Sequence, residues 1–220
     1  MNTSLPSKPL LRGWQHLIMA PVAAIAGVVL LIISPPNLRL PVAIYALSTV
    51  TLFTISATYH RVNWSQAVQP WMQRVDHSAI FVLIAGSYTA VTFTIIGGQF
   101  ALIASLAAWI AAAIGISVRL LWHGAPRWLF VPCYLIFGVS GAVFIPVVLE
   151  RGGPWALTLV AMGGAFYIVG ALIFASQYPN PSQKWFGFHE VFHSFTLGGY
   201  LSHFAAVVLG VVTVGGTSLG

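Results

Sequence analysis

The sequence predicts an all-α polytopic membrane protein, a bundle of seven transmembrane helices forming a single domain over residues 1–220. Three observations carry that expectation. The chain is 58% hydrophobic and only 5% charged, where a water-soluble domain carries roughly 25% charged residues. Its mean hydropathy is +0.90. The few charges also punctuate apolar stretches close to the roughly 20 residues that a helix needs to cross a bilayer. Nine Lys and Arg with three acids cannot cover a soluble surface of this size, which excludes a soluble enzyme, a nucleic-acid binder and a disordered chain. The formal charge of +6 therefore reports topology and contact with anionic lipid. The expected setting is the cell (plasma) membrane, with membrane lipids as partners; oligomeric state is not legible. The single cysteine, Cys133, lies in an apolar run and can form no internal disulfide.

The spans follow in order. Trp14 to Ile33 is the first, closed by Ser34, Pro35, Pro36 and Asn37. Lys8 and Arg12 precede it as in a signal peptide, but its length exceeds a usual h-region, so it reads as a retained span. The second, 41–60, lies between Arg39 and Arg61. From His77 to Val118 no formal charge occurs for 42 residues, roughly 63 Å of helix and hence two spans. These are 76–96 and 100–119, divided at Gly97, Gly98 and Gln99. The fifth and sixth cover 128–149 and 154–175, and a polar stretch from Gln177 to Lys184 leads into the seventh, 188–212. Trp14, Trp64, Trp71, Trp122, Trp128, Trp155 and Trp185 fall near these ends, at the headgroup level that an amphipathic ring prefers; Trp109 sits mid-span. Pro21, Pro132 and Pro146 lie inside spans, where neighbouring helices can satisfy the freed backbone groups.

Orientation follows from parity. The N-terminal tail and the loops after spans two, four and six share one side and hold Lys8, Arg12, Arg61, Arg74, Arg119, Arg127 and Lys184. The other side holds Arg39 and Arg151. Positive loops remain inside, so the N-terminus is expected in the cytoplasm and the C-terminus outside.

Few residues can do chemistry. The acids are Asp76, Glu150 and Glu190; the histidines are His16, His60, His77, His123, His189, His193 and His203. Glu150 beside Arg151 reads as a solvated loop pair, and His123 as an interfacial loop residue. His77 can orient Asp76 or meet a headgroup. His60 ends span two with Ser56 one turn earlier on the same face, Asp76 begins span three, and His189 and His193 occupy one face of the first turns of span seven. All five reach the cytoplasmic side. Three imidazoles and a carboxylate in one layer suit zinc, which takes neutral nitrogens in tetrahedral geometry with a position open to water. The plainer alternative, histidines bonded across helices or at headgroups, stands beside it. His203 lies about 15 Å deeper by helical rise and reads as a satisfied core histidine; His16 is a headgroup contact or a supporting partner. The stretch His189 to His193 also satisfies H-E-x-x-H, whose glutamate is a general base in metalloproteases. Here Glu190 can instead neutralise the site or pair with Lys184.

Three ordered segments, SATYHRVNWS (Ser56 to Ser65), RVDHSAIFVLIAGSYT (Arg74 to Thr89) and HEVFHSFTLGGYLSHF (His189 to Phe204), make the chain resemble the haemolysin III family, within the progestin and adiponectin receptor superfamily. The resemblance spans nearly the whole chain. It implies a seven-helix bundle with zinc on His60, His189 and His193, and Asp76 and Ser56 near the zinc-bound water. It further implies a zinc-dependent hydrolase of lipid amides, ceramidase-like, or alternatively a pore-forming haemolysin or a non-catalytic membrane-homeostasis protein with structural zinc. Many members carry an acid upstream of the first-span histidine, and none precedes His16 here. Against a pore, spans three to six show scattered Thr89, Thr92, Thr94, Ser105 and Ser117 rather than polar stripes, and small hydroxyl residues serve helix packing equally well.

Overall fold

A computed structural model describes residues 8–122 and 127–217; His123 lies outside them. The described chain is helical, with one isolated bridge between Ser182 and Phe186. The helices are α1 (Trp14–Ile33), α2 (Arg39–Arg61), α3 (Gln69–Val91), α4 (Gly98–Leu121), α5 (Arg127–Val139), α6 (Ile145–Ser176) and α7 (Phe188–Thr217). A π turn, Thr92–Ile96, extends α3, and a 3-10 turn, Ser140–Phe144, joins α5 to α6.

Apolar side chains explain both faces of this bundle. Val42, Phe53, Ala206 and Val207 are fully buried between helices, while Ile25, Ile32 and Ile110 stand more than half exposed on the outside. Such an outer surface is stable in hydrocarbon and not in water. Among the described residues, six segments are long and apolar enough to cross a membrane: Trp14–Ile33, Pro36–Arg61, Gln69–Ile96, Gly98–Leu121, Phe130–Ser176 and Phe188–Thr213.

The expected boundary between spans five and six falls inside one of these segments, Phe130–Ser176. The sequence predicts a loop at 150–153; the structure has a kink there instead, two helical pieces of α6 meeting at Gly153 (φ 73°, ψ −178°). That backbone is open to glycine and strained for other residues, and Pro154 after it donates no backbone hydrogen bond. The expected Glu150–Arg151 pair is not formed. Arg151 donates to the Ile96 carbonyl at 2.5 Å, closing the end of the π turn, because that carbonyl has no helical partner beyond Gly97 and Gly98, both at positive φ. Pro146 lies inside the apolar segment Phe130–Ser176, as expected, and in the first turn of α6, where its missing N–H costs nothing.

Packing runs α1 on α2, α2 on α3 and α3 on α4, with α6 on α7 and α7 returning to α1 and α3. The α6–α7 seam is close because Gly198 and Gly199 of α7 receive the rings of Phe166 and Tyr167. Between α3 and α4, Trp109 Nε1 donates to Thr89 Oγ1 at 3.0 Å, and Thr89 bonds Ser105 at 2.8 Å. The mid-span indole is thus satisfied internally, as a polar group in hydrocarbon requires.

Candidate metal centre

The ends of α2 and α4 and the beginnings of α1, α3 and α7 meet at one end of the bundle, and there the polar residues gather. His60 occupies the last turn of α2, and His189 and His193 the first two turns of α7. One ring nitrogen of each lies within 4.8 Å of the others, and the set is largely buried. His60 Nε2 and His189 Nε2 are 3.1 Å apart. Two imidazole nitrogens at this separation either share a proton or share a cation. A tetrahedral zinc with bonds of 2.0–2.1 Å sets its nitrogens about 3.3 Å apart, so the spacing and the donor set both fit zinc.

Ser56 is one turn before His60, and its hydroxyl is the side-chain hydrogen-bond partner of Asp76. Both are buried. Ser56, Asp76, His189 and His193 all line one cavity of about 590 Å³. Of the two expectations for His16, its position fits the supporting partner. It is 2% exposed, so it is no headgroup contact. Its ring stacks on that of His193 with centroids 3.8 Å apart and planes 16° apart, and Phe53 flanks it at 5.1 Å. Neither of its nitrogens has a hydrogen-bond partner, and it stands outside the three-histidine donor set.

Glu190 points away from this chemistry. Its carboxylate, 0% exposed, ion-pairs with Arg12 and accepts the Gly187 N–H at 2.7 Å. A glutamate at the third helical position reaching back to the residue before the helix is a capping interaction. The H-E-x-x-H spacing is therefore used here for two ligand-type histidines and one helix cap. Lys184, offered as an alternative partner, instead stacks its ammonium over Trp185. The cap also ties down the segment before α1: Leu10 and Leu11 donate their N–H groups to the carbonyls of Lys184 and Trp185. Gly13 follows at φ 80°, so close to α2 that a Cβ there would stand 2.7 Å from His60 Cβ. The N-terminal segment thus roofs the histidines.

The remaining titratable residues separate by depth. His77 Nδ1 meets Arg119 Nη2 at 2.9 Å, and the His77 carbonyl accepts from Tyr134 at 3.1 Å. His203 lies deeper, with Nε2 3.2 Å from the Val160 carbonyl; its other nitrogen has no partner, and its ring borders the cavity. Beyond the polar end the cavity runs between apolar residues such as Leu83, Val91, Val148 and Leu157. Gly138 and Val139 of α5 and Ala161 and Ala165 of α6 border it and are exposed, which makes the α5–α6 seam its lateral opening.

Two features had no reading in the sequence. The Arg12–Glu190 pair joins residues 178 positions apart, although the Gly187-to-Glu190 spacing does carry the capping signature. The cavity, and the presence of Arg74 and Arg119 in its wall, depend on which helices are neighbours.

A family model described as "Haemolysin-III related" matches residues 5–204. The chain is 28% identical to Hemolysin-3 of Bacillus cereus over 77% of its own length and 74% of that protein. It is 26% identical to the Hemolysin-3 homolog of Bacillus subtilis (strain 168) over 78% and 77% of the two chains. It is also 26% identical to the human Monocyte to macrophage differentiation factor, covering 74% of this chain and 67% of that one.

Proposed function

The chain belongs to the haemolysin-III-related family, and we propose that it is a zinc-dependent membrane hydrolase of lipid amides. The observation that carries this reading is the meeting of three facing histidine nitrogens with the Ser56–Asp76 pair at the polar end of a long apolar cavity. His60, His189 and His193 would hold the metal. A bound zinc ion supplies Lewis acidity and makes water acidic enough to serve as nucleophile near neutral pH. Asp76 takes the proton that water loses and returns it to the departing amine, and Ser56 holds the carboxylate in position. Water adds across the C–N bond, leaving a carboxylic acid and an amine. The cavity holds the acyl chain, and the α5–α6 seam admits it from lipid.

The same reading includes seven crossings of the plasma membrane. The segment Phe130–Ser176 contains 47 residues, about 70 Å of helix against a hydrocarbon core of about 30 Å. Gly153 supports a reversal of direction, giving two crossings and, by the excess of basic residues at the histidine end, a cytoplasmic N-terminus.

A non-catalytic reading with structural zinc draws on a different observation: His60 on α2 and the pair on α7 would be pinned by the ion across two helices that share little other packing. One experiment separates the two. Purified protein is assayed for zinc by elemental analysis and for release of fatty acid from a ceramide in detergent micelles. The hydrolase reading expects about one zinc per chain in the wild type and in Asp76→Asn. It also expects turnover to fall at least about 100-fold in Asp76→Asn, the scale of lost general acid–base catalysis. Zinc bound at full stoichiometry with no turnover of ceramides, acyl amides or esters would leave the structural role in its place.

A further inference from the structure

Three polar atoms deep in the bundle, well away from the histidine end, have no partner. His203 of α7, Tyr167 of α6 and Ser87 of α3 all border the cavity. Their Nδ1, Oη and Oγ atoms are sealed from solvent and make no hydrogen bond. The three share a level. Ser87 is eleven residues beyond Asp76, and His203 is ten beyond His193, about 15–17 Å deeper by helical rise. The Tyr167 and His203 rings meet edge to face, with centroids 5.4 Å apart. Apolar residues surround them: Leu83 and Val91 lie one turn either side of Ser87 on the same face of α3, and Leu157 and Val160 come from α6.

The chemistry of these atoms specifies what fits them. His203 Nε2 stands 3.2 Å from the Val160 carbonyl. A carbonyl only accepts, so Nε2 carries the proton and Nδ1 is an acceptor. Ser87 and Tyr167 each present a hydroxyl that can donate. Polar atoms held in hydrocarbon are costly without partners, and a plain alkyl chain offers none. We propose that this level of the cavity is a hydroxyl-binding subsite, and that the preferred substrates are amides of fatty acids hydroxylated far along the chain. The ligand's O–H donates to His203 Nδ1, and its oxygen accepts from Tyr167 and Ser87. A ketone oxygen accepts only and leaves Nδ1 bare. The position of the hydroxyl rests on the hydrolase reading, which sets the carbonyl at the histidines: a depth of about 15 Å corresponds to roughly a dozen chain carbons.

The test uses ligands with nothing to cleave, so a protein without amidase activity gives the same readout. Two octadecanediols are titrated calorimetrically into the zinc-loaded full-length protein in an uncharged detergent. Both carry one hydroxyl at the chain end; the second is on the twelfth carbon in the deep diol and on the sixth in the shallow diol. A third ligand has a ketone in place of the twelfth-carbon hydroxyl. The diols are isomers of equal polarity, so their difference reads position alone. The deep diol is expected to bind about tenfold more tightly than the shallow one, the scale of one or two net hydrogen bonds, and to exceed the ketone by a similar factor. The Tyr167→Phe, Ser87→Ala double variant, which deletes two oxygens and nearly keeps both shapes, is expected to bring the diols within about twofold. Positional preference without any amide turnover supports the subsite and retires the hydrolase reading alone. Equal binding of the two diols by the wild type would leave the three atoms to water and overturns the proposal without any variant. A ketone as tight as the deep diol overturns it too, since nothing then donates to His203. So does full preference retained by the double variant, its fold checked by circular dichroism.

Discussion

Arg12 and Glu190 form an ion pair that closes the histidine end of the bundle, joining the segment before α1 to the first turn of α7. Glu190 is wholly buried, and Arg12 is 17% exposed. Removing Arg12 leaves an uncompensated buried carboxylate, a change that costs about 3–5 kcal/mol in comparable pairs. Arg12→Ala is therefore expected to lower thermal stability in micelles markedly. Glu190→Gln, which still accepts from Gly187, costs less, about 1–2 kcal/mol. If Glu190 were a general base, Glu190→Gln would abolish turnover at unchanged stability, and parallel melting and activity curves distinguish the cases.

Zinc removal has a stability readout of its own. A ligand that binds the folded state alone at 100–1,000 times its Kd stabilises it by about 2.7–4.1 kcal/mol. Chelation is expected to lower the melting temperature of the wild type by several degrees and to leave the His189→Ala, His193→Ala double variant unmoved. An equal shift in both would place the metal elsewhere.

His16 supports the His193 ring by stacking rather than by a hydrogen bond. His16→Phe, which keeps a flat ring in the same slot, is expected to retain zinc in a chelator competition. His16→Ala leaves a cavity and costs about 2–4 kcal/mol, with weaker zinc retention. Loss of zinc from His16→Phe equal to that from His189→Ala would make His16 a ligand.

The α6–α7 seam tolerates no added bulk. A Cβ on Gly199 would sit 2.6 Å from the Tyr167 ring, so Gly199→Ala must displace that ring. The expected cost is about 1–3 kcal/mol, seen as a lower melting temperature with zinc content unchanged.

Much of this was legible before any coordinates. Apolar runs and their punctuating charges locate the helices, and α1 begins and ends where Trp14 and the Ser34-Pro35-Pro36 stop place it. Helical periodicity alone puts Ser56 with His60, and His189 with His193, on common faces. Glu150, Arg151 and two glycines mark the boundary at Gly153, but its form is not legible in them: one glycine at positive φ makes the break, with no loop between the helical pieces. The destination of Glu190 was illegible for another reason. Its partner comes from the far end of the chain, and no local pattern states which segment covers the start of α7. The same holds for Arg74 and Arg119, whose shared cavity wall arises from the packing of α3 on α4.

The lateral seam between α5 and α6 changes what concentration means for this protein. A molecule that arrives through it comes from hydrocarbon, so occupancy follows its mole fraction among the surrounding lipids. Diluting a vesicle suspension tenfold with buffer would leave the cavity as full as before. Adding inert phospholipid to the same vesicles would empty it.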